Sequence, residues 1–577
     1  MTPRAASRPA RPTVTALTDR PAADVLILGG GINGIATFRE LALQGVDVVL
    51  VERGDYASAA TASSSHMIHG GVRYLENGEF RLVNEAVHER NRLLKNAPHY
   101  VRPLETTIPI FTTFSGLLAA PLRFLTHKQR STVERGAFLI KIGLLIYDSF
   151  SRDGGSLPRH RFFGRKKSLA AMPELNPALK YTATYYDASM HNPERLALDV
   201  LLDGVATGHG RAANYVEVTG LHSSDAAGST VALRDVVSGH EFAMSAKVVV
   251  NTTGPWTDIT NDELGVATRY MGGTKGSHIV LEHPELLEAT KGRELFFEND
   301  DGRIVLIYPL KGRVMVGTTD IDADPRDPVI CTEEEVDYFF ELVHHVLPTI
   351  ELDRSQIIYR FAGIRPLPRH DDEAPGFVSR DYRIESAELP DGGLLLSLVG
   401  GKWTTFRALG EHMANLALAR LGVPRTVTTE TLAIGGGKGF PRSDPDRAAW
   451  VVAHSDQVGT EHTERLLLRY GTSAAAIIDS VTEKDAPLKN LEGFSTDEVR
   501  FLVEREQVEH LGDLVYRRTS TAFVGRVTAP LLDELAGIAA EVLGWGATRR
   551  AEEVASLTKD LAEHHQVRLS EKTAAAS

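Results

Sequence analysis

The stretch LILGGGINGIATFRELALQGVDVVLVER, residues 26–53, decides the fold class. The apolar run DVLILGG reads as a strand buried on both faces. The next segment, GIATFRELALQG, places Ile35, Phe38, Leu41 and Ala42 at helical spacing and stops at Gly45. VDVVLVE is a second buried strand, so a βαβ unit opens the chain. Gly29, Gly31 and Gly34 fit G-x-G-x-x-G at the strand-to-helix junction, and Glu52 closes the second strand 18 residues after Gly34. Glycines there permit a tight turn and close backbone approach, the helix N-terminus holds a pyrophosphate, and the carboxylate takes a ribose hydroxyl pair. The pattern reads as a dinucleotide site.

Working outward, 577 residues exceed what one core supports, and the length suggests two to four domains. A net charge of −13 argues against a nucleic-acid binder, which needs clustered Lys and Arg. The lone cysteine, Cys331, excludes disulfide frameworks, thiolate metal clusters and a dithiol redox pair, so redox chemistry must come from a cofactor. No metal site is expected. Residues 1–23 lack the apolar core of a secretory signal and read as a disordered tail. No window of about 20 uncharged apolar residues suggests a membrane span.

Beyond the βαβ unit the regular alternation stops. Residues 57–72, ASAATASSSHMIHGGV, form a loop of small residues suited to wrapping an extended cofactor. A nicotinamide domain would continue with a helix there, so the reading favours FAD. AKVVVNTTGPW (246–256) and GGLLLSLVGGKWTT (392–405) repeat the strand-to-glycine junction, implying one nucleotide domain built from discontinuous pieces. GSHIVLE, RIVLIYPL and GRVMVGTTD, spaced like hairpins, predict an inserted, mostly antiparallel sheet. Residues 447–565 carry helical periodicity and read as a separate helical domain. The expected class is therefore α/β: a discontinuous Rossmann-like FAD-binding domain, an inserted antiparallel substrate domain and a C-terminal helical domain. The boundaries drawn are FAD-binding parts at 24–110, 171–260 and 361–432 (the last shared with substrate), a membrane-facing segment at 111–170, the substrate sheet at 261–360, a Gly/Pro-rich linker at 433–446, and a disordered tail at 566–577.

At SSSHMIHGGVRYLENGEF (63–80) the chain resembles the FAD-dependent glycerol-3-phosphate dehydrogenases. The resemblance continues through NTTGPW, KGSHIVL, VGTTD, FAGIRPL, SRDY and VGGKWTTFR to GDLVYRRTS (512–520), and covers nearly all of 24–545. It implies a fold similar to D-amino-acid oxidase, oxidation of sn-glycerol 3-phosphate to dihydroxyacetone phosphate by hydride transfer from C2 to flavin N5, and electron transfer to a membrane quinone. The family usually has Lys where this chain has His66, whose charge near neutral pH the sequence leaves open.

The resemblance implies Arg73 and Arg380 at the substrate phosphate, where a planar guanidinium grips oxygens bidentately. Tyr74 adds a hydroxyl contact or serves as a core aromatic; His69 touches the flavin or positions Arg73. Arg365 and His278 are the candidates for handling the C2 hydroxyl, with Arg365 orienting the developing alkoxide. Lys402 is placed near the flavin ring, where positive charge favours the reduced form. The cofactor-binding set comprises Gly29, Gly31, Asn33, Gly34, Glu52, Arg53, Thr61, Ser63, Ser64, Gly70, Gly71, Gly254, Gly400, Gly401, Lys402 and Thr404; helix capping is the alternative for Thr404. Arg517 and Arg518 read as structural ion-pair formers.

Residues 117–150 mix large apolar side chains with Arg123, Lys128, Arg130, Arg135 and Lys141, and PRHRFFGRKK (158–167) adds five cations and two Phe. Basic charge beside apolar groups suits an anionic bilayer, which points to peripheral attachment on the inner face of the cell membrane. A homodimer is expected. The alternatives are a glycerol-3-phosphate oxidase that uses oxygen, an amine or amino-acid oxidase of the same fold, and a non-catalytic flavin-binding scaffold.

Overall fold

A computed structural model describes residues 11–71, 80–112, 137–150, 157–222, 228–298, 304–369 and 381–569. The opening strand Ala22–Leu28 pairs in parallel with Val48–Val51 on one side and with Glu241–Asn251 on the other. Leu394–Val399 continues the parallel sheet beyond Glu241–Asn251, and Gly210–Ala213 extends it beyond Val48–Val51. Strand side chains alternate between two cores, as a doubly covered sheet requires. Val25, Ile27, Val48, Leu50, Val248 and Val250 pack under the helices Ile32–Leu43, Pro193–Val205 and Phe406–Leu421. Leu26, Leu28, Val49, Val51 and Val249 face the hairpin Val216–His222/Ser229–Asp235. The register sets Leu28 beside both Asn251 and Val51, and Asn251 beside Ser397. Three glycine-rich junctions therefore emerge side by side at the carboxyl edge.

The second sheet is mostly antiparallel and runs Ile321–Asp322, Met271–Leu281, Arg313–Gly317, Ile304–Leu310, Glu294–Glu298, Val101–Ile110, Tyr181–Met190, Met67–Ile68. Ile357–Pro368 pairs with Met271–Leu281 along nearly its whole length. This corrects the boundaries read from sequence. The sheet is not confined to 261–360, because strands from 67–68, 101–110, 161–164 and 181–190 join it, the first join being a parallel pair between Glu294–Glu298 and Val101–Ile110. Sheet membership is decided by pairing across the chain, which local pattern does not record.

Three further corrections share one cause, buried anchors in segments that look loose. Residues 11–23 are not a disordered tail. A helix spans Pro12–Thr18 with Val14 and Leu17 buried, and Arg11 pairs with Asp235 at 3.0 Å and with Glu509 at 3.1 Å. The 433–446 segment is packed rather than a free linker: Ile434 N–H donates to the Asn96 carbonyl at 2.9 Å, and Gly436 and Gly437 are buried. At the other end Val567 and Leu569 pack on the helical core, so 566–569 are not a loose tail.

The C-terminal helices do not form a separate core. Leu466, Leu502, Leu514, Leu531 and Leu535 share one apolar cluster with Met67, Val280, Leu306 and Phe361 of the second sheet. Polar contacts reinforce the join. Asp55 accepts from Arg518 at 2.7 and 3.0 Å, from Arg517, and from Asn214 at 3.1 Å. The structural reading of Arg517 and Arg518 holds in these bonds.

Candidate active site

The carboxyl edge of the first sheet builds a cradle from backbone. Gly29 has φ +105°, and a Cβ there would lie 2.7 Å from the Thr252 carbonyl oxygen. A Cβ on Gly34 would lie 2.1 Å from the Gly29 oxygen and 2.5 Å from Thr252 Oγ1, so helix and turn touch through glycine alone. Gly31 caps the helix Ile32–Leu43 with no side-chain bond, leaving the helix N-terminus open to a ligand. Thr61 Oγ1 accepts the Ile32 N–H at 3.1 Å and thereby ties the small-residue loop to that terminus. Asn33 Oδ1 is buried without a hydrogen-bond partner in the structure. Facing it, Gly401 has φ +112°, and a Cβ there would fall 2.6 Å from Asn33 Nδ2. The Asn33 side chain thus packs directly on the Gly400–Gly401 turn, an approach that glycine permits. An extended dinucleotide fits such a cradle, with an orphaned acceptor to satisfy and backbone close on both sides.

Glu52 accepts from Gly30 N–H at 2.6 Å and from Gly54 N–H at 2.8 Å. Burial pushes its carboxyl above the ordinary range despite those two bonds and nearby Arg53. Arg53 itself is exposed. Gly254, with φ +64°, turns the chain out of the Glu241–Asn251 strand.

The loop carries the cradle across to the second sheet. Ser63 packs against Gly363, where a Cβ would come within 2.4 Å of Ser63 Cβ. Ser64 Oγ accepts the His66 N–H at 3.3 Å. His66 is buried, stacked on Phe523 at 5.0 Å, and held below its usual pKa by burial and by Lys311, which makes it neutral. Gly70 is better explained by packing than by cofactor contact. Its N–H already donates to Tyr147 Oη at 3.0 Å and Asp187 Oδ1 at 3.1 Å, and a Cβ would meet Tyr147. Gly71 is buried with φ +76°. The alternative of capping by Thr404 fails: the helix Phe406–Leu421 starts after Thr405, and Thr404 Oγ1 donates to the His69 carbonyl at 3.2 Å.

Arg365 and His278 lie on neighbouring strands, with Thr274 opposite Arg365 and Phe361 opposite His278. The Arg365 guanidinium is fixed by Asp320 Oδ1 (3.1 Å), Thr318 Oγ1 (2.8 Å) and the Thr319 carbonyl (3.0 Å). It rests over Gly276, whose missing Cβ makes the room, and it remains 22% exposed on its side chain. His278 is only 2% exposed, stacks on Phe361 at 4.7 Å, and shares a 2.8 Å hydrogen bond between Nε2 and Ser65 Oγ. Burial and the Arg365 charge push it down to about 3, so the ring is neutral and weakly basic. Lys402 follows the Gly400–Gly401 turn, and its charge draws on Glu85, which burial pushes above the ordinary carboxylate range. Arg73, Tyr74 and Arg380 lie outside the described residues.

Two participants escaped the sequence reading. Ser65 was passed over inside the SSS run although it, not Ser63 or Ser64, bonds His278. Trp403 donates Nε1–H to the Thr61 carbonyl at 2.9 Å and so fixes the loop from the Leu394–Val399 strand end. Its place in GGKWTT was the available signal.

Comparison with known proteins agrees with this geometry. Residues 24–416 match the family model for FAD dependent oxidoreductases, and residues 427–550 match that for the C-terminal domain of alpha-glycerophosphate oxidase. The glycerol-3-phosphate dehydrogenase of Synechocystis is 33% identical over 87% of this chain and 89% of its own length. The D-erythritol 1-phosphate dehydrogenase of Brucella abortus is 31% identical over 86% and 94%. The solved glycerol-3-phosphate dehydrogenase of Bacillus halodurans, complexed with FAD, has the same fold, with a TM-score of 0.70 at 22% identity over 95% of this chain and 96% of that one. The fold and cradle are those of an FAD-dependent oxidoreductase. Within that class the chain belongs to the FAD-dependent glycerol-3-phosphate dehydrogenase family, and its cofactor is FAD.

Proposed function

We propose that this chain oxidises sn-glycerol 3-phosphate to dihydroxyacetone phosphate and passes the electrons to a quinone at a membrane surface. Bound FAD supplies the hydride acceptor. Asn33, Glu52, Thr61 and the Gly29–Gly34 and Gly400–Gly401 turns hold it, and Lys402 places positive charge beside that end of the cradle.

The observation that carries the reading is Arg365. A guanidinium pinned on three sides yet still partly exposed offers a fixed charge to an oxygen that becomes negative as the C–H bond breaks. His278 is neutral, so it adds no second cation, but a ring held near pKa 3 is a poor proton acceptor at neutral pH. We assign it the positioning of Ser65 rather than direct abstraction of the proton. Arg73 and Arg380 take the phosphate in this reading, with Tyr74 and His69 beside them.

Membrane contact has support from the helix Ala137–Phe150. Ile140, Leu144 and Tyr147 are buried against Val83, Val87 and Tyr185, while Phe138, Ile142 and Leu145 are 49%, 39% and 55% exposed beside exposed Lys141. Among the described residues no helix is long and apolar enough to cross a membrane. An apolar ridge with a lysine in its midst suits attachment to a bilayer face.

Anaerobic mixing of the FAD-loaded protein with glycerol 3-phosphate, D-erythritol 1-phosphate or glycerol tests the substrate. Bleaching of the flavin is expected to be fastest with glycerol 3-phosphate; a protein that bleaches only with the four-carbon phosphate, or with neither phosphate, overturns the assignment. Arg365→Ala should retain FAD absorbance and slow the bleaching by about 10²–10³-fold. An unchanged rate would remove Arg365 from the chemistry.

A further inference from the structure

A cavity of about 390 Å³ lies between the small-residue loop, the strand Ile357–Pro368 and the helical domain. Its lining includes none of Gly29–Gly34, Glu52 or Gly400–Thr404, but it takes in Ser63 of the cofactor set and Trp256, two residues beyond Gly254, so it adjoins the dinucleotide cradle. The two sites share the loop as a partition. Thr61 turns its hydroxyl to the helix N-terminus, while Ala60, Ala62 and Ser63 line the cavity. Gly363, also in the lining, stands two residues from Arg365, or about 7 Å along the strand.

We propose that this cavity receives the head ring of the quinone acceptor and that Glu194 delivers one of the protons its reduction consumes. The proposal rests on the acceptor reading given above. Ring faces form part of the interior: Tyr359 and His565 stack at 4.6 Å and 16°, and Phe361 lies 6.2 Å from Phe523. The lining also carries polar groups, among them Ser58, Ser63, Arg517 and Asp560; ring faces orient a flat ring, and polar groups suit its carbonyl oxygens. The volume is many times that of a packing defect, which a close-packed interior would otherwise close.

Glu194 begins the helix Pro193–Val205, is 8% exposed and lines the cavity. Burial pushes its carboxyl up to about 7, against the pull of Lys311, so a proton is available there at neutral pH. The reaction balances. Two electrons withdrawn from C2 of the substrate, together with two protons, convert the quinone's two carbonyls to hydroxyls. Glu194 gives one proton and solvent at the cavity mouth gives the other; Glu194 is then reprotonated from water.

The test uses FAD-loaded enzyme, glycerol 3-phosphate, a short-chain quinone and, separately, a soluble dye acceptor. Val329→Trp fills the cavity from a lining residue outside the cofactor loop. It should raise the quinone KM about tenfold or more and weaken quinone binding in equilibrium dialysis of the oxidised enzyme, with dye turnover and flavin absorbance within about twofold of wild type. Glu194→Gln should cut quinone kcat about tenfold while leaving quinone KM and dye turnover near wild type. Unchanged quinone KM and affinity in V329W overturn the site, and full quinone kcat in E194Q overturns the proton delivery. A wild-type enzyme that reduces the dye but no quinone gives a different failure: the acceptor reading falls.

Discussion

Glu52 and Asp55 stand three residues apart on one stretch of chain, the first half-buried and the second fully buried, and end in opposite states. Glu52 is held by two backbone N–H groups at 2.6 and 2.8 Å, and burial raises its pKa. Asp55 is held by two guanidinium groups and an amide, and Arg518 and Arg517 lower its pKa against its own burial. On the reading proposed above, the difference separates a ligand site from a structural one. Around Glu52 the donors are neutral, the neighbouring Asn33 acceptor is unsatisfied, and glycines clear the space. Around Asp55 every charge has its partner, continuing through Arg518 to Glu506 and from Glu506 to Arg195. Charges that pair with one another hold the domains together; on the proposed reading, the unsatisfied Asn33 acceptor and the space that glycines clear receive the cofactor.

The strongest test of that contrast is Asp55→Asn. Losing the carboxylate leaves Arg518 with Glu506 alone and takes a partner from Arg517 as well, at a cost of about 3–5 kcal/mol. The unfolding midpoint of the FAD-loaded protein in urea should fall accordingly. The pH dependence has a definite sign. Asp55 has a depressed folded pKa, so its stabilisation is full above the unfolded value of about 3.9 and is lost as pH falls through the folded one. The deficit of D55N against wild type should therefore be constant near neutrality and shrink only in acid. A midpoint equal to wild type would mean that the ion cluster is not what joins the domains.

Gly34→Ala probes the other region. Its Cβ would meet backbone, the Gly29 oxygen at 2.1 Å, which cannot swing aside as a side chain can. Overpacking of this kind costs about 2–3 kcal/mol, roughly a hundredfold in FAD affinity if the strain is expressed at the cradle. Flavin retained through gel filtration measures it. Full retention would show that the helix and turn have slack and that the cradle is less tightly drawn than the contacts imply.

The contrast also marks how far sequence could be read. The cradle was legible because its cause is local: a buried strand, glycines at fixed offsets and a helix impose Gly29, Gly31, Gly34 and Glu52 within one stretch. Arg365 and His278 were reachable only through family resemblance, since what makes them a pair is the antiparallel register of two strands some 90 residues apart. The Arg11 anchor was illegible, because Pro- and Ala-rich sequence around it gives no sign of partners at Asp235 and Glu509. The same holds for the linker at 433–446, where Gly436 is glycine because the Tyr470 carbonyl leaves no room for a Cβ. Ser65 was hidden by its neighbours: three consecutive serines look alike until a strand places His278 opposite one of them.

The finest discrimination comes from Glu52→Gln. The amide keeps the shape but offers one carbonyl where the carboxylate had two oxygens, so either Gly30 or Gly54 N–H loses its acceptor, and the charge available to the ribose hydroxyls is gone. Hydrogen bonds to a charged group are worth about 1.5–3 kcal/mol, and part of that is recovered by the amide, leaving about 1.4 kcal/mol, or tenfold in FAD affinity. The sign with pH follows from the raised pKa. If the ionised carboxylate is the form that binds, wild-type affinity should begin to fall at a pH above the ordinary glutamate value of about 4.3, whereas E52Q should be flat there. Equilibrium dialysis of the apoprotein against FAD across that range measures both. Parallel curves for the two proteins would place Glu52 with Asp55, as a carboxylate whose bonds serve only the chain.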